Sequence, residues 1–273
     1  MTPSDWVSAD PAFTQYPNLR VERAGHVTTV TLDRPEAKNA CTGDMWVAIG
    51  AAFREISFSG TRAVVLTGAG GAFSAGQDLS EMAQSTTAPA GGEHPFGAFL
   101  DELCAFDKPL VAAVNGVAVG IGLTILLHCD FVYVAEGARL RAPFVTLGVV
   151  PEAASSYLLP LLIGWRATQE LLFSDGWLDA KRAAELGIAN RLCAPGELLA
   201  IADEKAAALA ALPPEALRHT KRLLLATRDA EVRAARARED EAFRVRVGSP
   251  ENLEAVRAFF EKRAPDFAKL ARR

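Results

Sequence analysis

Apolar positions along the chain follow two periods. In "HVTTVTLD" (26–33) hydrophobic and polar residues alternate and β-branched side chains dominate, which predicts a half-buried strand. "AVVLTG" (63–68), "PLVAAVNG" (109–116) and "DFVYVAEG" (130–137) are continuous apolar runs ending in turn residues, as expected of strands buried on both faces. "TGDMWVAIGAAFREIS" (42–57) carries apolar residues at helical spacing, with Thr42 placed to cap its start. This alternation predicts an α/β fold. From residue 197 the spacing turns helical, in alanine-rich amphipathic stretches separated by Pro or Gly. The chain therefore divides into a core, 1–196, and a helical region, 197–273, whose apolar stripe faces the core or a partner subunit. "AQSTTAPAGGEHPFG" (83–97), polar and rich in Gly and Pro, reads as a mobile loop of the kind that covers functional sites.

With 273 residues, half of them hydrophobic and 23% charged, the chain can bury a substantial core and is not of disordered composition. A formal net charge of −4 argues against a dedicated nucleic-acid binder. The opening "MTPSDWVSADPAF" lacks the basic and then apolar stretches of a signal peptide. The apolar run near 109–129 is broken by Asn115 and several glycines and ends at His128, which predicts strand, turn and helix rather than a membrane span. Cys41, Cys104, Cys129 and Cys193 show neither CxxC spacing nor a histidine partner. They read as buried free thiols of a cytoplasmic protein, with no metal site.

Two glycine-rich stretches follow apolar strands: "TGAGGAFSAGQDL" (67–79) and "NGVAVGIGLTILL" (115–127). In the second, Gly120, Ile121 and Gly122 stand where a helix begins, so the first amides lack an intrahelical acceptor and point outward. Two such amides converging on one oxygen would form an oxyanion hole. Tight turns alone also account for the glycines. Neither stretch contains GxGxxG or GK[ST], and the chain has no GxSxG or HExxH. His128 reads as a satisfied core residue, and Asp78 and Asp130 as braces of turns. In "GVVPEAASS" (148–156) Glu152 follows a proline ahead of the apolar "YLLPLLIG". In a first helical turn such an acid would complement the helix dipole.

Six segments taken in order extend the reading: "LDRPEAKNA" (32–40), "AVVLTGAGGAFSAGQDL" (63–79), "KPLVAAVNGVAVGIGLTILLHCDFVYVAEGARL" (108–140), "LGVVPEAASSYLLPLLIG" (147–164), "LDAKRAAELGIANRL" (178–192) and "VRAFFEKRAPDF" (256–267). Together they resemble the crotonase, or enoyl-CoA hydratase/isomerase, family. The resemblance implies a spiral of ββα units with a C-terminal helical trimerisation region, assembled as a homotrimer or a dimer of trimers. It implies an acyl-CoA thioester as substrate, with no cofactor beyond the coenzyme A that the substrate carries, and a place in fatty-acid β-oxidation. Oxyanion amides fall to Gln77 and Ile121; many members have glycine at the latter place, but only the main-chain N–H is needed. Ala37, Lys38 and Ala75 match positions that hold the adenine-nucleotide end of coenzyme A, where Lys38 can meet a phosphate as a point charge. Phe259 and Lys262 of the last helix match contacts made to coenzyme A, often from a neighbouring subunit. They are also what an ordinary amphipathic helix would carry.

Hydratases of this family use two glutamates, and the matching positions here hold Thr124 and Phe144. A hydroxyl and a phenyl ring cannot serve as general bases near neutral pH. Glu152 lies in a "PE…SS" context resembling that of delta-3,delta-2-enoyl-CoA isomerases. Moving a double bond needs proton removal at C2 and return at C4, which one carboxylate can perform in turn. Apolar neighbours such as Phe144, Leu123 and Tyr157 would raise its pKa. Three readings stay open on the sequence: a 3-enoyl-CoA isomerase acting through Glu152, another crotonase-type reaction such as hydration, C–C cleavage or thioester hydrolysis, and a catalytically silent acyl-CoA-binding protein.

Overall fold

The computed structural model describes residues 13–84, 95–174, 176–194 and 196–270. The first 12 residues, read above for a leader, and residues 85–94 of the expected loop lie outside the described residues. Both ends of that expected loop are helical instead, because α2 (Leu79–Gln84) runs into it and α3 (Pro95–Ala105) starts at its last proline. The fixed φ of proline suits a first helical position, so Pro95 opens a helix rather than extending the loop.

Among the described residues, two sheets form the core. The larger runs in the order β1 (Leu19–Ala24), β2 (Val27–Leu32), β3 (Ala63–Gly68), β5 (Leu110–Val114), β7 (Phe131–Ala135) and β10 (Arg191–Cys193). β1 and β2 pair antiparallel with Leu19 opposite Leu32, and every later pair is parallel. β3 and β5 are buried at every position, matching their unbroken apolar sequences. The smaller sheet runs β4 (Ala72–Ser74), β6 (Val117–Val119), β8 (Arg139–Arg141) and β9 (Leu178–Asp179), the first three parallel.

Three times a strand of the large sheet passes through a short turn into a strand of the small one: β3 to β4, β5 to β6 and β7 to β8. A helical segment follows each pair. After β4 come α2 and α3, after β6 comes α4 (Ile121–Thr124), and after β8 come α5 (Ser155–Ile163) and α6 (Trp165–Phe173). The result is the expected spiral of ββα units, and it brings the carboxyl ends of β4 and β6 side by side.

Helix α1 (Gly43–Phe58) is capped as expected, with Thr42 Oγ1 accepting from Met45 N at 3.3 Å. It packs on α3 through Trp46, whose ring stacks on Phe99 at 5.0 Å and meets Phe96 edge-on at 5.2 Å. After α7 (Ala180–Glu185), helix α8 (Leu198–Ala210) lies on the outer face of the large sheet. Its Ala202 and Ala206 are fully buried against a surface that includes Val65, Val111 and Ala113, because a methyl group lets the helix approach the strands closely. The remaining helices are α9 (Pro214–Ala226), α10 (Asp229–Arg246) and α11 (Pro250–Phe260), and α10 packs across α5.

Candidate active site

Two turns meet where β4 and β6 end. β4 runs into Ala75, Gly76 and Gln77, and β6 into Gly120 and the first residue of α4, Ile121. Gly76 has φ +88, and a Cβ placed on it would sit 2.6 Å from Val119 O. A Cβ on Gly122 would sit 2.6 Å from Ser74 O. No side chain fits at either point, so glycine is what lets the two turns press together.

That approach presents two backbone donors. Cys41 N donates to Gly76 O at 2.7 Å and Asp78 N to Cys41 O at 2.9 Å, which ties down both neighbours of Gln77 and leaves its own N–H directed elsewhere. The Ile121 N–H stands at the start of α4 and has no carbonyl a turn behind it. Among the described residues neither N–H has a hydrogen-bond acceptor in the protein. The Gln77 side chain is itself held, its Oε1 accepting from buried Trp46 Nε1 at 2.7 Å. Sequence reasoning missed Trp46 because a tryptophan at a core position of a helix gives no sign that its N–H points at a loop.

Ala37, Lys38 and Ala75 come together beside this pair. Pro35–Ala37 form one 3-10 turn, Lys38 follows in the left-handed region at φ 52, and Ala75 N donates to Lys38 O at 2.9 Å. Asn39 underpins the turn. Fully buried, its Nδ2 donates to Ala69 O at 2.9 Å and Ala72 O at 2.8 Å, and its Oδ1 accepts from Arg34 N at 3.0 Å. The Lys38 side chain stays in solvent.

Glu152 comes to the same region from the segment between β8 and α5. Thr124, at the carboxyl end of α4 and fully buried, donates from Oγ1 to Glu152 Oε1 at 3.1 Å. One face of Glu152 stays partly open, yet it is enclosed deeply enough that lost hydration pushes its pKa up to about 8. The Thr124 hydrogen bond opposes that rise, and the nearby charges of Glu239 and Asp240 add to it. Phe144, 5% exposed, and Leu123, fully buried, belong to the adjoining apolar core, with half-buried Tyr157 packed against it.

Glu152 is not in a first helical turn, so it does not complement the dipole of α5. Two successive alanines, Ala153 and Ala154, take left-handed φ values of 57 and 58 and separate Glu152 from α5. The carboxylate at the start of α5 is that of Glu239, which accepts from Ala154 N at 2.7 Å and Ser156 N at 2.8 Å. Sequence reasoning did not single out Glu239. Its one signal is an acid on the buried stripe of α10 with Val232 and Ala235.

The other candidates separate cleanly. His128 is a core residue, as expected: its Nε2–H donates to Ala153 O at 2.8 Å, and burial pushes its pKa down to about 4, so the ring is neutral. Burial alone would raise the pKa of Asp78, but hydrogen bonds from Arg34 and Ser80 hold it below the usual carboxylate value. Asp130 accepts from Lys221 Nζ at 2.7 Å and Leu110 N at 2.8 Å, bracing two elements. Phe259 is 58% exposed, its ring meeting Phe260 edge-on at 5.6 Å. Lys262 lies beyond the end of α11 in the left-handed region rather than within the helix, since Lys262 N and Arg263 N close the helix on Phe259 O and Ala258 O.

Comparison with known proteins places this geometry in context. A family model described as enoyl-CoA hydratase/isomerase matches residues 22–270. The chain is 33% identical to the short-chain-enoyl-CoA hydratase of Clostridium acetobutylicum, over 90% of this chain and 95% of that protein. It is 32% identical to enoyl-CoA delta isomerase 2 of Rattus norvegicus, over 93% of this chain and 66% of that one. A crystal structure of an enoyl-CoA hydratase/isomerase from Pseudoalteromonas atlantica T6c superposes with a TM-score of 0.86 at 39% identity, covering 92% of this chain and 99% of the other.

Proposed function

The chain belongs to the enoyl-CoA hydratase/isomerase family, and from that premise we propose that it converts 3-enoyl-CoA thioesters to 2-enoyl-CoA thioesters with Glu152 as the proton shuttle. The observation that carries the reading is the enclosed carboxylate of Glu152, bonded to Thr124 one turn of α4 from the Ile121 amide. The thioester oxygen accepts from Gln77 N and Ile121 N. As the ionised Glu152 takes a proton from C2, negative charge moves onto that oxygen, where two fixed donors stabilise it. Collapse of the dienolate with delivery of the same proton to C4 leaves the double bond conjugated to the carbonyl. A base with a pKa near 8 is well matched to both halves of the transfer, since it neither holds the proton too weakly nor releases it too slowly.

The chemistry needs no group beyond the coenzyme A of the substrate. Ala37, Lys38 and Ala75 receive its adenine-nucleotide end, and in a homotrimer Phe259 and Lys262 of a neighbouring copy would close over it. A second reading, hydration of a 2-enoyl thioester, is favoured by the hydratases among the relatives. It requires a proton donor and a water-activating base together, and Thr124 and Phe144 supply neither. The test is to mix the protein with a 3-enoyl-CoA and follow the absorbance of the conjugated thioester, with Glu152→Gln alongside and a 2-enoyl-CoA as the hydration control. Isomerisation by the wild type alone supports the assignment. Equal activity in both proteins, or hydration without isomerisation, defeats it.

A further inference from the structure

The link that carries Glu152 is held from two sides. Ala153 and Ala154 both occupy the left-handed region, which alanine enters only at an energetic cost, so something outside the link must hold it there. On one side His128 Nε2–H donates to Ala153 O at 2.8 Å. On the other, Glu239 reaches across from α10, 5% exposed, with Oε2 accepting from Ala154 N at 2.7 Å and Oε1 from Ser156 N at 2.8 Å. Among the described residues no lysine or arginine pairs with Glu239. Its charge is therefore met by two backbone amides rather than by a cation.

We propose that Glu239 is a positioning residue for Glu152: its carboxylate clamps the Ala153–Ala154 link and so sets where the shuttle carboxyl lies. The proposal rests on the isomerase reading for its effect on rate, but not for its effect on Glu152 itself. A carboxylate met by amides and not by a cation has a second consequence. Glu239, with exposed Asp240 beside it, pushes the Glu152 pKa upward, in the same direction as lost hydration and against the Thr124 hydrogen bond. Behind the link His128 is neutral, and the cations Arg228, Arg236 and Lys221 act on His128. The clamp both aims the base and strengthens it.

The test compares wild type, Glu239→Gln, Ala154→Gly and the double variant. Two readouts are used: kcat and KM for a 3-enoyl-CoA across pH, and an infrared titration of Glu152 taken as the difference between each protein and its Glu152→Gln counterpart. Displacement of the base is expected to lower kcat by about 100-fold in Glu239→Gln, with KM little changed. The Glu152 titration should move to lower pH. Glycine adopts positive φ freely, so Ala154→Gly should restore much of the lost kcat in the double variant. Wild-type kcat and an unmoved titration in Glu239→Gln, or no rescue by glycine, would overturn the proposal. If Glu239→Gln fails to fold but the double variant folds, the link is what Glu239 supports, in line with the proposal. If neither folds, Glu239 serves the packing of α10 on α5 and the proposal is wrong. A wild type without isomerase activity whose Glu152 titration still shifts in Glu239→Gln would refute the reaction and leave the clamp standing.

Discussion

Thr124 donates its hydroxyl hydrogen to Glu152 at 3.1 Å from the last residue of the short helix that Ile121 begins. One helical turn therefore links the proposed oxyanion donor to the proposed base. The same threonine tunes that base, since its hydrogen bond favours the ionised carboxylate that burial disfavours. Thr124→Val keeps the shape and removes the donor. With about 1 kcal/mol of stabilisation lost from the carboxylate, the rising limb of kcat/KM should move above pH 8 and activity at pH 7 should fall about fivefold. A pH–rate profile of the two proteins checks this.

The acidity of Glu152 also makes a stability prediction. Its folded pKa, about 8, lies above the ordinary carboxylate value of 4.5, so the folded protein holds a proton that the unfolded chain has released between those limits. The contribution is complete below pH 4.5 and disappears as pH rises through 8, an effect on the order of a few kcal/mol. Glu152→Gln cannot ionise. Thermal melts should show it gaining on the wild type from pH 5 to pH 8 and levelling off above that, and parallel curves would show that Glu152 is not protonated in the fold.

His128 works with the opposite sign. Its folded pKa, about 4, lies below the ordinary 6.5, so the folded state resists a proton that the unfolded chain accepts. Its share of stability is present above pH 6.5 and lost as pH falls through 4, about 3 kcal/mol in all. Denaturant titrations at pH 7 and pH 4.5 should show a smaller loss of stability in His128→Gln than in the wild type.

Gly76→Ala tests the proposed oxyanion pair. The added methyl would meet Val119 O at 2.6 Å in a backbone conformation that alanine avoids, forcing the two turns apart. Loss of one aligned donor is worth about 10²–10³ in kcat. Steady-state kinetics should show that fall, with the protein still folded by circular dichroism.

How much of this was legible depended on whether a residue's neighbours in sequence are also its neighbours in space. β2, β3, β5, β7 and α1 were readable because periodicity reports burial directly, and Thr42 because a cap acts on the next turn. The glycine turns were readable because close backbone approach tolerates nothing larger, as Gly76 and Gly122 show. The setting of Glu152 was not. An alanine gives no hint that it will adopt positive φ, and the carboxylate that caps α5 arrives from α10, distant along the chain. Trp46 was hidden in the same way: its ring satisfies the helical pattern while its N–H serves Gln77. Phe259 and Lys262 stay exposed at the end of α11 and just beyond it.

The central claim is that the Glu152 carboxylate takes the proton from C2 of the acyl group. Single-turnover conversion of a 3-enoyl-CoA deuterated at C2 addresses it directly, because product release cannot mask the chemical step. Wild type should form the conjugated thioester more slowly from the deuterated substrate than from the protiated one. Glu152→Gln should be slower than wild type by about 10²–10⁴-fold on either. A wild-type rate indifferent to deuterium, or a Glu152→Gln protein that keeps pace with the wild type, would contradict the account.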